Sequence, residues 1–281
     1  MILTSSLGNR KISYTYTESD DIQSQSLVFT DIPYVCNSYA MAYNPVNEMV
    51  YWADPVKIMK IALDGTNYEV VINMGAYSMS LDVERQNVYF VAYALSEMSI
   101  CDVNGMNNQG LFMTGSVISM DFDESSGYIY YCLHYDSIQR FHRDNPNTFS
   151  VVVNGICDGL SVDHAGQVIF WTDVTNTEVW SVNSDGSNKQ QIVPTLSYLG
   201  SYYLMVIGNF LYTRENSGSM FKYTYAGDAL GAVAALSTTN PYDGLHVMPA
   251  TDANMAESPS SINTAFSELR TNFCIEIRNP V

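Results

Sequence analysis

The feature that most constrains the fold of this chain is an internal repeat, because a period of about 40 to 45 residues is typical of propeller blades. An apolar stretch, a short polar turn and an aromatic pair recur in residues 39–54, 77–92, 118–133 and 158–173, with a shorter copy in 202–214. The first aromatic position of each copy falls at Tyr51, Tyr89, Tyr130, Phe170 and Leu211, and these positions are 38, 41, 40 and 41 residues apart.

Each repeat also carries the signals of antiparallel strands joined by tight turns. The aromatic pair is followed by an alternating stretch that ends in Asp-Gly or Asn-Gly, as at residues 64–65, 104–105 and 185–186. These dipeptides supply the positive φ angles that tight hairpins need. Each unit therefore predicts a blade of four antiparallel strands.

The two ends of the chain carry different strands of one further blade. Residues from Ile2 onward match a second and a third strand, whereas Asn240–Met248 resembles the inner-strand segment Cys157–Asp163. We therefore expect an all-β fold, a six-bladed β-propeller of four-stranded antiparallel blades, in which strands from the N and C termini close the ring and remove exposed edges. The propeller would span 1–249, with a polar surface insertion at Glu18–Gln25. Residues 250–281 would form a tail that is poorly ordered or packed on the propeller.

Two copies of the repeat resemble a known family. Tyr51-Trp52-Ala53-Asp54 and Phe170-Trp171-Thr172-Asp173, the latter preceded by Leu160-Ser161-Val162-Asp163, are similar to the class B (YWTD) repeats of the low-density-lipoprotein-receptor family. WD40 repeats have a similar period, but their Trp-Asp closes the third strand of a blade, whereas here the aromatic pair opens the second strand. The resemblance implies an extracellular or lumenal module that binds protein ligands or packs against neighbouring modules.

The repeated residues are expected to be structural. In a propeller, large aromatic side chains fill the wedges between blades, and the closing Asp can accept hydrogen bonds from backbone amides and pin adjacent strands. Three of the expected aspartates are replaced, by Ala92, Leu133 and Arg214, and weaker inter-blade hydrogen bonds are expected there. The structural motif residues are Tyr51, Trp52, Asp54, Tyr89, Phe90, Tyr130, Tyr131, Phe170, Trp171, Asp173 and Tyr212.

Charge and cysteine usage exclude several classes of function. The chain has 29 Asp and Glu against 12 Lys and Arg, a formal net charge of -17, which repels nucleic acid and anionic membranes. The acidic residues serve either as a solubilising surface or as a patch for a basic ligand. Five separated cysteines, with no CxxC pair, encode neither a zinc site nor a dense disulfide framework, and most are expected to be buried.

No pattern of catalytic residues stands out. His134, His142, His164 and His246 lie in different units, and among them only His246 is placed to face the central channel. The chain has no Gly-x-Ser-x-Gly, P-loop or dinucleotide-binding motif. Some lactonase-like propellers bind calcium in the channel through oxygen ligands, but Asp121 is the only carboxylate on the expected inner strands. We expect no catalytic residue, metal or cofactor, with a calcium-dependent hydrolase as the alternative.

The remaining candidate for a functional site is the rim of the propeller. The loops between second and third strands and those between blades should share one face, and tyrosine is favoured at recognition surfaces. This face predicts a protein-binding site, although the same rings could merely cover loop stems; its candidate residues are Pro55, Tyr77, Tyr93, Tyr135, Tyr198, Glu215 and Tyr242. Neither a signal peptide nor a membrane-spanning stretch is present, so the sequence is expected to be either a fragment of a receptor ectodomain or a solitary protein.

Overall fold

The structure is a computed structural model. It describes residues 2–6, 11–18, 21–29, 39–62, 65–93, 97–113, 115, 117–173, 175–194, 196, 203–207, 209–214, 220–232 and 245–247. The predicted tail, residues 250–281, lies outside the described residues. The described part consists of strands and turns, and no helix in it is long and apolar enough to cross a membrane.

The strands follow one another along the chain in groups. The first three are β1 (Ile2–Ser6), β2 (Lys11–Glu18) and β3 (Asp21–Phe29). Blade 1 comprises β4 (Ala40–Asn44), β5 (Met49–Ala53), β6 (Ile58–Ala62) and β7 (Glu69–Ile72). Blade 2 comprises β8 (Ala76–Asp82), β9 (Asn87–Ala92), β10 (Glu97–Asp102) and β11 (Gln109–Met113). Blade 3 comprises β12 (Val117–Asp123), β13 (Tyr128–Leu133), β14 (Ser137–His142) and β15 (Asn145–Asn154).

Two further blades and a last short strand complete the described chain. Blade 4 comprises β16 (Gly159–Asp163), β17 (Val168–Asp173), β18 (Glu178–Asn183) and β19 (Gln190–Val193). Blade 5 comprises β20 (Tyr203–Ile207), β21 (Phe210–Arg214), β22 (Met220–Thr224) and β23 (Ala229–Ala232). The last strand is β24 (Leu245–Val247).

The sheets confirm the all-β class and the propeller ring of four-stranded antiparallel blades. Blades 1 to 5 are each built from one continuous stretch of chain. A further four-stranded sheet, the closing sheet, has the order β24-β1-β2-β3, with Ile2 opposite Val247 and Thr4 opposite Leu245. The inner strands contact one another in sequence from β4 to β20, and β24 contacts both β20 and β4. Strands from the two ends of the chain therefore close the ring.

One local expectation is wrong. The polar stretch Glu18–Gln25, expected to be a surface insertion, instead belongs to the hairpin of β2 and β3, in which Thr17 pairs with Ile22 and Glu18 with Asp21. Polar composition alone did not distinguish the two structures, because an antiparallel strand at the rim of a sheet can face water on one side.

The turn between the inner and the second strand has the same construction in four blades. The last residue of the inner strand uses its side-chain oxygen to accept a hydrogen bond from a turn N–H two or three residues later, and the turn ends at a residue with positive φ. The accepting residues are Asn44, Asp82, Asp123 and Asp163. The positive φ angles are 55° at Glu48, 54° at Gln86, 72° at Gly127 and 53° at Gln167.

Apolar side chains are buried between neighbouring blades, so that the core is divided into wedges. One wedge joins Tyr51 of blade 1 to Phe90 of blade 2, another joins Tyr89 of blade 2 to Tyr131 of blade 3. Cys132 and Cys157 form a disulfide within the wedge between blades 3 and 4, with their Cα atoms 5.5 Å apart. Cys101 is buried and unpaired. Aromatic packing, together with the Cys132–Cys157 disulfide between blades 3 and 4, therefore holds these described blades together.

Glycines in the hairpins between third and outer strands allow close contact between blades. Gly105 has a φ of +77°, and a Cβ added to it would lie 1.7 Å from the carbonyl oxygen of Val71 on the outer strand of blade 1. Gly227 packs in the same way against Ile192 of blade 4, at 1.9 Å. Only glycine fits both the backbone angle and the space.

Candidate protein-binding surface

Three tyrosines from blades 1 and 2 form a cluster on the upper face, the end that carries the turns between second and third strands and the connections between blades. Tyr39 precedes β4, Tyr77 is the second residue of β8, and Tyr93 follows β9. The ring centroids of Tyr77 and Tyr93 are 4.3 Å apart, and Tyr39 lies 5.9 Å from each of them. Tyr77 is 40% exposed, so the cluster, here called the tyrosine cluster, has a face open to solvent.

The backbone beneath the tyrosine cluster is held tightly. A Cβ added to Gly75 would lie 2.3 Å from the carbonyl oxygen of Asp54 and 2.1 Å from the carbonyl carbon of Pro55. The N–H of Ala76 donates to the Asp54 carbonyl at 3.1 Å, and the N–H of Tyr93 donates to the Gly75 carbonyl at 2.8 Å. The contacts of Gly75 and Ala76 with residues 54–55 join blades 1 and 2, and the bond from Tyr93 to Gly75 lies at the edge of blade 2. Together they fix the positions of Tyr77 and Tyr93 before any partner binds.

Burial also affects the protonation of Tyr77, one member of the cluster. It raises the pKa of Tyr77 above its ordinary value, and the neighbouring Tyr93 raises it further by its charge and hydrogen bond. The Tyr77 phenol is therefore neutral at physiological pH. It offers a partner an apolar ring and a hydroxyl group that can both donate and accept a hydrogen bond.

Tyr135 forms a second aromatic feature of the upper face, in blade 3. It is 65% exposed, although its φ of 61° is uncommon for a residue with a bulky side chain. Its ring lies 3.7 Å from that of His134, whose Nδ1 is 3.0 Å from Oδ1 of the buried Asp158. The exposed Tyr135 ring therefore packs against a histidine that lies beside a buried carboxylate.

The structure places the predicted binding-face residues as follows. Pro55, Tyr77 and Tyr93 come together at the boundary of blades 1 and 2, whereas the ring contact described for Tyr135 is with His134. Tyr198, Glu215 and Tyr242 lie outside the described residues. Two further residues of this face do not follow from the sequence pattern. Tyr39 occupies the start of the first repeat, and Val56 follows Pro55 and is 62% exposed.

The repeated aromatic residues lie in the core. Tyr51, Trp52, Tyr89, Phe90, Tyr130, Tyr131, Phe170, Trp171 and Tyr212 are all at most 2% exposed. Asp54 and Asp173 act within their own turns: Oδ1 of Asp54 accepts hydrogen bonds from the N–H groups of Val56 and Lys57 at 2.6 and 2.7 Å, and Oδ1 of Asp173 accepts one from Asn176 at 3.0 Å. At Asp54 the bond to blade 2 is made by the backbone carbonyl and not by the side chain.

The central channel contains a set of side-chain bridges between inner strands. The hydroxyl oxygens of Ser78, Ser119 and Ser161 each accept a hydrogen bond from an N–H of the next inner strand, from Met120 at 3.1 Å, Leu160 at 3.1 Å and Val206 at 3.3 Å respectively. These bridging serines satisfy backbone donors that no neighbouring strand can pair.

Asp121 makes a bridge of the same kind. Its Oδ2 accepts the N–H of Val162 at 2.9 Å, and its Oδ1 accepts that of Phe122 at 2.9 Å. Burial raises the pKa of Asp121 above its ordinary value, despite the opposing effects of His164 and these amides. Both carboxylate oxygens of Asp121 therefore accept hydrogen bonds from backbone N–H groups.

In the described part of the chain, no three His, Cys, Asp or Glu side chains are grouped to hold a metal ion.

Each described histidine side chain lies beside a different carboxylate and not in a common site. Nδ1 of His134 is 3.0 Å from Asp158, that of His142 is 3.5 Å from Asp144, and that of His164 is 3.3 Å from Asp123. The side chain of His246, predicted to face the channel, lies outside the description, although its backbone pairs with Leu3 in the closing sheet.

The fold and the upper face define a β-propeller with an open aromatic rim, and known structures share this fold. No protein-family model matches the sequence. A chain in the crystal structure of a nidogen/laminin complex aligns with 88% of this chain and 98% of its own length, at 16% identity and a TM-score of 0.75. A gluconolactonase from Xanthomonas campestris aligns with 72% of this chain and 76% of its own length, at 14% identity and a TM-score of 0.58. At such identities the similarity shows the fold alone.

Proposed function

We propose that this chain is a non-enzymatic protein-binding propeller of the YWTD type and that it recognises its partner with the upper face. The observation that carries the proposal is the tyrosine cluster, in which three rings from two blades are packed together, partly exposed and held by inter-blade backbone contacts. Rigid aromatic side chains lose little entropy on binding and bury a large area. The partner is a secreted protein or a neighbouring module of a longer receptor.

The opposite, lower face is less suited to bind a partner, because several of its charged groups pair with one another. Arg143 pairs with Asp82 at 3.1 Å and also with Glu84, while Arg85 pairs with Asp144 at 2.6 Å. A partner would have to replace these contacts. On the upper face, a partner can cover the exposed surfaces of Tyr77 and Tyr135 without replacing an ion pair.

The disulfide supports an extracellular or lumenal location. Cys132 and Cys157 are both completely buried and joined, and structural disulfides persist in oxidising compartments but are rare in the cytosol. The YWTD resemblance of residues 51–54 and 170–173 implies the same location.

The proposal is tested by comparing binding to the two faces. The folded chain is used to capture partners from secreted and cell-surface proteins, and each captured partner is then titrated against the Tyr77→Ala/Tyr93→Ala variant and against Tyr135→Ala. Removing an aromatic anchor should weaken binding at least about tenfold. Val46→Ala and Met106→Ala, which change exposed side chains of lower-face turns, serve as matched controls. Equal binding by the tyrosine variants and the controls would refute the assignment.

A calcium-dependent hydrolase is the second candidate, and the shared fold of the gluconolactonase favours it. The commitment of both Asp121 oxygens to backbone amides argues against it. The two functions are separated by assaying the folded chain with a panel of lactones in the presence of calcium. Hydrolysis that is abolished by a chelator and by Asp121→Ala would replace our proposal.

A further inference from the structure

The outer strand of blade 3 differs from the outer strands of the other four continuous blades. β15 has ten residues, whereas β7, β11, β19 and β23 have four or five. Short outer strands limit the row of unpaired N–H and C=O groups that another strand could bind. β15 lies at the end of its sheet, so no described strand is hydrogen-bonded to its outer side, although Phe149 lies near Phe112 of β11, with ring centroids 6.4 Å apart.

β15 also presents apolar side chains at this edge. Phe149 and Val151, two residues apart and therefore on the same face of the strand, are 58% and 53% exposed. The strand contains no charged residue. Prolines and breaks in register commonly prevent a further strand from pairing with an edge strand. In β15 they occur only on either side of the central residues, as Pro146 and as shifts in the register with β14. Between them, Phe149, Ser150 and Val151 pair regularly with β14.

We propose that β15 pairs antiparallel with β15 of a second copy of this chain. The register centred on Ser150 places Phe149 of one copy opposite Val151 of the other, on the same face. The four exposed side chains then form one apolar cluster across the two-fold axis, with the aromatic and β-branched pairing that favours antiparallel strands. A shift by one residue would separate these side chains.

The charged groups at the ends of β15 are bound within the same copy. Asp144, which precedes the strand, pairs with Arg85 at 2.6 Å, and Nζ of Lys189 donates to the carbonyl of Asn154 at 3.0 Å. The proposed pairing therefore rests on residues 149–151, whose register is complementary to itself and so matches a second copy. Because the contact is short and each copy carries a net charge of -17, the dimer is transient and forms at high protein concentration.

Sedimentation velocity over a wide concentration series tests the proposal. The wild-type chain should show a sedimentation coefficient that rises with concentration. Val151→Lys, which puts two like charges near the axis, should abolish this rise, whereas Val46→Lys, at an exposed position in a turn of blade 1, should leave it unchanged. A wild-type chain that stays monomeric, or equal behaviour of the two lysine variants, would overturn the proposal.

A conservative substitution tests the register. In the proposed dimer, Ser150 faces Ser150 of the other copy at a distance that a disulfide can span. Oxidation of the Ser150→Cys variant should therefore yield a covalent dimer that retains the thermal transition of the wild type. Ser187→Cys, at an exposed hairpin of blade 4, should remain monomeric. Failure of Ser150→Cys to cross-link in excess of Ser187→Cys would show that this pairing does not form.

Discussion

At the scale of single residues, the boundary between blades 3 and 4 contains a carboxylate that solvent does not reach. Asp123 accepts hydrogen bonds from Ser126 at 2.6 Å and from Gln167 at 2.8 Å, and it pairs with His164 of the next blade. Burial acts to raise the pKa of Asp123, but these partners outweigh it and hold the pKa well below its usual range. The carboxylate therefore stays charged in the folded protein.

The partner histidine makes stability depend on pH. Burial opposes the charged form of His164, but the hydrogen bond to Asp123 and the charges of Asp121 and Asp163 raise its pKa above the ordinary value. A raised pKa in the folded state adds stability that is fully present below the unfolded pKa, about 6.5, and is lost as pH rises through the folded value.

We therefore expect His164→Gln to lower the melting temperature of the chain more at about pH 6 than at about pH 9. Because the imidazole is about half exposed, the difference should be small, about 1 to 3 °C. Melting curves of the wild type and the variant at both pH values measure it. An identical loss at the two pH values would mean that the pair with Asp123 does not couple to protonation.

A glycine prediction also belongs to the residue scale. Gly105→Ala should destabilise the fold by about 3 kcal/mol or more, because the new Cβ meets both an unfavourable φ and the Val71 carbonyl of blade 1. Gly115→Ala is the matched control, since Gly115 has a φ of +63° but no described atom within 4 Å of an added Cβ. Its cost should be about 1 kcal/mol. Urea unfolding measures both, and equal losses would contradict the close contact between blades.

At the scale of elements, the inner strands share a need for hydrogen-bond acceptors outside their own sheet. Each strand pairs on one side only, so the N–H groups on its other side face the channel or the next blade. Serine hydroxyls and the Asp121 carboxylate of blades 2 to 4 accept hydrogen bonds from such N–H groups in blades 3 to 5. A buried donor that loses its acceptor costs about 1 to 3 kcal/mol.

Ser119→Ala should therefore destabilise the chain by about 1 to 2 kcal/mol and make the amide proton of Leu160 exchange faster, because that N–H loses its acceptor. Ser187→Ala provides the comparison, since the Ser187 hydroxyl bonds to Asp185 within its own exposed turn. Hydrogen exchange followed at Leu160 distinguishes a lost bridge from a general loss of stability. Unchanged protection of Leu160 would show that the hydroxyl is dispensable.

At the scale of the whole molecule, the ring depends on links between segments that are distant along the chain. The closing sheet joins the two ends, and the disulfide joins the second strand of blade 3 to the connection that leads into blade 4. Cys132 and Cys157 are separated by 25 residues. Cross-linking a loop of this length is worth about 3 kcal/mol through the unfolded state.

The double variant Cys132→Ala/Cys157→Ala should accordingly unfold at a lower urea concentration than the wild type, with a loss of about 2 to 4 kcal/mol. Cys101→Ala changes a buried cysteine that is unpaired and should retain the disulfide. Peptide mapping without reduction should recover the linked pair from the wild type and from Cys101→Ala. Two free thiols at Cys132 and Cys157 in the folded protein would contradict the link.

Much of the architecture could be predicted from the sequence because the repeat is local. The spacing from Tyr51 to Leu211, the Asp-Gly and Asn-Gly turns, and the burial of the aromatic pairs depend on side-chain pattern and turn chemistry within a single blade. The similarity of residues 240–248 to 157–163 even indicated that the two ends would join. The surface insertion predicted at Glu18–Gln25 is wrong, because its polar residues fit a strand and a loop equally well.

The composition and repeat of the sequence by themselves determined that this chain is an all-β propeller with a strongly acidic surface. Only the tertiary structure decided that Tyr39 joins Tyr77 and Tyr93, that Cys132 pairs with Cys157, and that Asp121 serves the backbone of the next blade. Each of these contacts joins different strands or crosses between blades. Blade stacking, and not spacing along the chain, sets such distances, so no pattern within one repeat could reveal them.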